Sequence, residues 1–310
     1  PIGESEEITN TTPTEGSWVV HPAFTNAGTG GVGELKGIWV AKYEASSNAE
    51  NIVENPTGDS LKVDGGDDND LSLKVRIRPN VSSWRKVTFN DAFTICQNMT
   101  KSGNSLEGAS LDSHIMKSTE WGAVAYLSRS IYGKNSPVWN NPYYYDTSTY
   151  RTTITGLCGT SQDASQTSLD GTYKYNEQGG VNASTTGNVY GIYDMAGGSN
   201  EVVSAIYETK KNNNFFDFTN VEKKYYDCYD GYNSKIYGDA VYEISILYNG
   251  LRNYYDSDIA HFGYNDERSV VMFKGGQAQD GEKAGIFAFQ TFWAYAEPWY
   301  TFRPCVVNSI

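Results

Sequence analysis

Only two stretches of this 310-residue chain repeat apolar residues at the spacing of a helix. Thr88 can cap FNDAFTICQNM, in which Phe89, Ala92, Phe93 and Cys96 recur three to four residues apart. Ser118 can cap TEWGAVAYLSRS, with Glu120 in the first turn, where the helix dipole favours an anion. Trp121, Val124, Ala125 and Ser128 share one face there, flanked by Ala123 and Leu127. The remaining regular signals are short strands: SWVV at 17–20, GIWVAKYEA at 37–45, VVMFKGG at 270–276 and FRPCVV at 302–307. Two helices, short strands and long loops predict an α+β fold with small twisted antiparallel sheets. No repeat of 20–50 residues is present. The polar, acidic residues 1–16 read as a flexible lead-in. Residues 17–310 read as a single domain, with insertions at about 46–76, 134–186 and 207–268.

Charge removes whole classes of partner. Lys and Arg number 24 against 37 Asp and Glu, a net charge of −13. Phosphate backbones need clustered cations, so nucleic acid is excluded as a partner. No run of 18 apolar residues exists to form a transmembrane segment. With 24 Tyr, 31 Gly, 26 Asn and only 20 % charged residues, the composition resembles extracellular and virion proteins. The same residue types build recognition surfaces, because Tyr and Trp cover much area at little conformational cost. The expected location is extracellular, on a cell surface or a virion. The chain begins at Pro1, which suggests a processed or trimmed product, with any export signal lying outside it.

The four cysteines, Cys96, Cys158, Cys228 and Cys305, are widely spaced and contain no C-x-x-C. A tetrathiolate metal site is therefore not expected, and disulfides and free buried thiols both remain open. Asp64, Asp67, Asp68 and Asp70 lie among glycines in VDGGDDND. Several carboxylates on a bendable backbone suit a structural calcium ion. The ligand order of an EF-hand is missing, and a solvated acidic turn is the competing reading. No other cofactor is expected.

The order of segments resembles a known family. GIWVAKYEAS, a W-x-x-V-x-F-x-D-A helix from Trp84 to Ala92, STEWGAVAYLSRSIYG, GNVYGIYDMAGGSNEVV, FKGG and FRP follow one another as in the formylglycine-generating-enzyme-like branch of the C-type-lectin fold. The resemblance implies that fold. The wording DSHIMKSTEWGAVAYLS and ASTTGNVYGIYDMAGG is similar to a subgroup of bacterial and phage surface proteins. That subgroup includes variable proteins diversified by diversity-generating retroelements. In such relatives the positions flanking A-G-x-F-x-F and F-R-P vary and face outward to bind a ligand. Carried over, these are Gln277, Ala278, Gln279, Ala288, Gln290, Thr291, Phe292, Trp293, Ala294, Tyr295, Ala296, Trp299 and Tyr300. Lys274 stands where the family usually has Arg.

Catalytic chemistry is not expected from the residues present. The enzymes of the family hold copper on a pair of cysteines in the C-terminal segment, whereas Phe273 to Phe302 contains no cysteine. A three-histidine iron site would need His21, His114 and His261, which lie in unrelated segments. His114 reads as a surface or capping residue. No nucleophile-elbow motif marks a serine.

What does stand out is aromatic density. Eight of the seventeen residues from Ile286 to Phe302 are aromatic, where the chain-wide 14 % would give between two and three. Phe287 and Phe289 fit a strand with one buried face. QTFWAYAEPWYT has no period of 2 or 3.6 and contains Pro298, so its rings cannot all point inward. Trp293, Tyr295, Trp299 and Tyr300 are expected to be exposed on one surface with Gln277 and Gln279. Clustered exposed aromatics mark an interaction site. The expected function is recognition of a protein or carbohydrate receptor on a cell surface. The alternatives are a structural subunit of a pilus or phage virion that uses the face for assembly and, after it, a metalloenzyme of the formylglycine-generating type.

Overall fold

The computed structural model describes residues 20–25, 35–48, 73–146, 151–213, 216–230, 236–241, 258, 260–261 and 270–308. Helices α1 (Phe89–Gln97) and α2 (Ser118–Ser128) fall where the spacing predicts them. The strands are β1 (Trp39–Val40), β2 (Ser46–Ser47), β3 (Val75–Arg76), β4 (Leu111–Ile115), β5 (Tyr145–Asp146), β6 (Arg151–Thr152), β7 (Leu157–Cys158) and β8 (Tyr173–Lys174). They continue with β9 (Asn200–Tyr207), β10 (Asp227–Tyr229), β11 (Ala260–His261), β12 (Val271–Lys274), β13 (Phe289–Phe292), β14 (Tyr300–Phe302) and β15 (Pro304–Asn308). The protein is α+β.

Helix α1 starts as the sequence reading requires, with the Thr88 hydroxyl accepting the Asp91 N–H at 3.2 Å. Helix α2 starts differently. Lys117, not Ser118, holds the cap position, and the Glu120 carboxylate reaches back to accept the Lys117 N–H at 2.8 Å. The Ser118 hydroxyl instead donates to the Met272 sulfur at 3.5 Å. His114 is also corrected: it is buried, with Nε2 2.8 Å from Glu120 Oε1.

The strand segments 38–43, 270–274 and 302–307 divide between two sheets. One sheet has the order β1-β15-β4, all antiparallel. The other has the order β10-β9-β12-β13-β11, with β14 added parallel to the start of β9. Arg303 is the joint, lying between β14 and β15. β9 is buried along its whole length, as a strand covered on both faces must be. Val202, Ile206, Val271 and Phe273 point to the side of α1, packing with Trp84, Phe89, Phe93 and Phe302. Val203, Ala205, Met272 and Phe289 point to the side of α2, with Trp121, Val124 and Phe287. The Trp121 indole N–H is satisfied by the Ile286 carbonyl at 2.7 Å.

A charged cluster sits where the sheets meet. Glu44, Asp194, Glu201 and Arg303 are all buried. The Arg303 Nε and Nη2 donate to both oxygens of Glu201, at 2.8 and 2.5 Å. Its Nη1 and Nη2 also reach the carbonyls of Ala41 at 2.7 Å and Tyr193 at 2.9 Å. Asp194 has a φ of 62°, a left-handed conformation that Asp tolerates better than most residues. Its carboxylate takes N–H bonds from Asn141 at 2.9 Å and Gly156 at 2.8 Å. Glu44 Oε1 accepts the Ser199 N–H at 2.9 Å. A side chain at Gly198, φ +70°, would meet that oxygen at 2.3 Å, so the turn requires glycine.

Candidate binding face

The aromatic segment owes its missing periodicity to a crossing. β13 lies beside β12, while β14 lies on the far edge of β9. Residues 293–299 must therefore pass across the α1-side face of the sheet. The inner side of that passage buries Ala294 and leads into Tyr300, which stacks on Phe273 with centroids 4.0 Å apart. The buried Arg85 anchors it, its Nη1 donating to the Pro298 carbonyl at 3.2 Å. The outer side carries the ridge.

Phe292 is 40 % exposed and Tyr295 49 % exposed. Between them the half-buried Trp293 stacks on Phe292, centroids 5.2 Å apart and planes 30° apart. It meets Tyr295 edge-on at 5.7 Å. Strand alternation explains the start of the ridge: Phe289 and Thr291 face inward, while Gln290 and Phe292 face outward. Gln290 Nε2 donates to Asn200 Oδ1 at 3.3 Å, and the Asn200 N–H bonds the Trp299 carbonyl at 3.0 Å. A neutral amide pair thus borders the rings.

Several expected positions do not face outward. Ala278, Ala288, Thr291, Ala294 and Tyr300 are buried. Thr291 Oγ1 lies 3.2 Å from the Tyr207 hydroxyl, and Ala278 is tied down by its N–H bond to Gly198 O at 2.8 Å. Burial holds the Tyr300 hydroxyl far above the usual phenol range. Trp299 and Ala296 are half-buried. Gln277 and Gln279 are half-buried too, in a 3-10 turn just beyond Lys274. In the β12–β13 register Phe292 pairs with Val271, three residues and about 10 Å from the Lys274 end. Gln277 and Gln279 therefore flank the Gln290–Asn200 side of the face rather than Phe292.

Asp64, Asp67, Asp68 and Asp70 lie outside the described residues, as does residue 17–19 of the first expected strand. Among the described residues no three His, Cys, Asp or Glu side chains are grouped to hold a metal ion. No described helix is long and apolar enough to cross a membrane. The four thiols are free, with Cys96, Cys158 and Cys305 buried and Cys228 half-buried. Sequence reasoning missed Asn200, whose position became visible only through the parallel pairing of β14 with β9. No family model matches the chain, and no curated protein matches it.

Proposed function

We propose that this protein is a non-enzymatic recognition module of the C-type-lectin type, binding a protein or carbohydrate receptor on a cell surface through the ridge of Phe292, Trp293 and Tyr295. The observation that carries the reading is the ring stack itself: exposed Phe292 at the end of β13 and exposed Tyr295 on the passage, with the half-buried Trp293 packed between them. Rings exposed in this way offer flat apolar area, and the Gln290–Asn200 amides beside them offer donors and acceptors. From Ile286 to Phe302 there is no Lys, Arg or His and one carboxylate, Glu297, so an anionic ligand is disfavoured.

The resemblance to formylglycine-generating-type proteins supports the fold in a specific way. The Arg of F-R-P and the Glu after Y-D-M-x-G, the specific motif of the resemblance, are the residues paired as Arg303 and Glu201. Kinship with retroelement-diversified surface proteins of bacteria and phages would make the ridge the varied part and the buried frame the fixed part. An extracellular, cell-surface or virion location follows from that reading.

The test is a Trp293→Ala, Tyr295→Ala double variant, assayed for binding to the cell surface and for melting temperature. Binding reduced about 30-fold or more with an unchanged melt supports recognition. Unchanged binding sinks it. A structural subunit is favoured by a separate observation: Trp39 at the edge of the β1-β15-β4 sheet, and Ile131, Tyr132 and Tyr190 elsewhere, are more exposed than any ring of the ridge. Sedimentation that shows a concentration-dependent oligomer, abolished by Trp39→Ser or Tyr132→Ser, would support assembly instead.

A further inference from the structure

We infer that the cluster of Glu44, Asp194, Glu201 and Arg303 is a proton-dependent clamp at the junction of the two sheets, holding the fold more firmly in mildly acidic than in mildly alkaline solution. The inference does not depend on what the ridge binds.

Geometry sets the charge imbalance. Three carboxylates and one guanidinium are sealed from solvent in one place. Arg303 spends two N–H groups on Glu201 and the rest of its bonds on backbone carbonyls. Among the described residues the other groups facing the cluster bring no second cation into it; the Lys42 ammonium lies on the far side, over the rings of Tyr43, Tyr175 and Tyr193. After β1 the facing groups are Tyr43 and Glu44, and in the turn before β9 Tyr193 and Asp194, with Tyr175 packed on both tyrosines. β9 contributes Glu201, and the 134–186 segment contributes Asn141, Thr153 and the Gly156 N–H. Burial raises the Asp194 carboxyl too, but Arg303 and the N–H donors of Gly156 and Asn141 pull it back towards the ionised form. Among the described residues Glu44 Oε2 has only the Thr153 hydroxyl, at 3.4 Å.

A proton taken from solvent therefore belongs on Glu44. The O–H then donates to Thr153 Oγ1, and that hydroxyl passes its own hydrogen bond to Ser199 at 2.8 Å or to Ser83. Burial first, then the Asp194 and Glu201 charges, push the Glu44 carboxyl well above the carboxylate range. Burial also raises Glu201 to about 7, against the pull of Arg303. Acids raised by folding bind protons more tightly in the native state, so stability is full below about pH 4.5 and falls as pH rises through the folded value. The decline for Glu201 spans about pH 4.5 to about 7, and Glu44 extends it upward. Glu201 adjoins Asn200, which bonds both Gln290 and Trp299, so the loosening reaches the ridge.

The experiment is a melting-temperature profile of the whole chain from about pH 5 to about pH 8.5. It compares the unaltered protein with Glu44→Gln and with the exposed control Asp170→Asn, which makes the same carboxyl-to-amide exchange outside the cluster. The expected profile of the unaltered protein falls by on the order of 5 °C. Glu44→Gln, neutral at every pH and able to donate an amide hydrogen towards Thr153, flattens the fall and melts higher than the unaltered protein at the alkaline end. Asp170→Asn keeps the original slope. A flat profile, or an unchanged slope in Glu44→Gln, overturns the inference. Infrared spectra at neutral pH decide the matter even if Glu44→Gln does not fold. A protonated-carboxyl stretch in the unaltered protein is expected, and its absence overturns the clamp.

Discussion

Tyr300 lies nearly flat on Phe273, with ring centroids 4.0 Å apart and planes 29° apart, while Trp299 beside it remains half-exposed. Neighbouring aromatics in one segment thus have opposite duties. Tyr300→Ala should destabilise the fold by about 3–5 kcal/mol, the cost of removing a buried ring. Tyr295→Ala should stay within about 0.5 kcal/mol. Urea denaturation of the two single variants separates them, and equal losses would place Tyr295 in the core.

The Arg303–Glu201 pair gives a second prediction. Arg303→Met strands Glu201 without its counter-charge and should cost about 3–5 kcal/mol. Arg303→Lys should also destabilise, because an ammonium cannot reproduce the two-pronged contact. The double variant Arg303→Met, Glu201→Gln should recover part of the loss. A shift in urea midpoint that simply adds across the two sites would show that they do not couple.

Acid stability is governed elsewhere, at Glu120. Burial alone would raise its carboxyl, but the His114 and Lys117 charges and their hydrogen bonds hold it at about 2. An acid lowered by folding stabilises above its unfolded value of about 4.5, and that stability drains away as pH falls towards about 2. Glu120→Gln should cost on the order of 3 kcal/mol at neutral pH and almost nothing near pH 2. Chemical denaturation at both ends of the window checks it.

Thiol chemistry offers a fourth check. Cys228 is pushed up to about 12, by burial and then by the Glu208 carboxylate that its thiol meets at 2.7 Å. Cys96, Cys158 and Cys305 are buried. A thiol-reactive dye should therefore label the native chain slowly, at Cys228 alone, and label all four cysteines in denaturant. Fast labelling of Cys305 would show that the β1-β15-β4 sheet opens.

The legible parts of this fold are those whose signal is local. Helix α1 could be read because Thr88 and the spacing of Phe89, Ala92, Phe93 and Cys96 lie within ten residues of each other. β9 could not: NEVVSAIY is buried on both faces, so no alternation betrays a strand. The start of α2 was displaced by one residue because Ser118 is drawn to Met272, a partner 154 positions away. The ridge was half legible. Composition and Pro298 locate it, but which rings face outward is decided by the passage from β13 to β14, and burial of Tyr300 by Phe273 is a tertiary fact.

That passage also sets an order of assembly. Tyr300 pairs with Asn200 and Phe302 with Val202, contacts that close loops of a hundred residues. Contacts so distant in sequence form late, after the local helices, because the entropy of closing the loop is spent before any pairing is gained. During synthesis β9, β12 and β13 can associate while residues 300–308 are still being added. The rings at 292–295 then sit on an unfinished sheet, and only docking of β14 against β9 pulls the passage taut. The aromatic face is thus set only after β9, β12 and β13 have paired, although its rings lie within ten residues of one another.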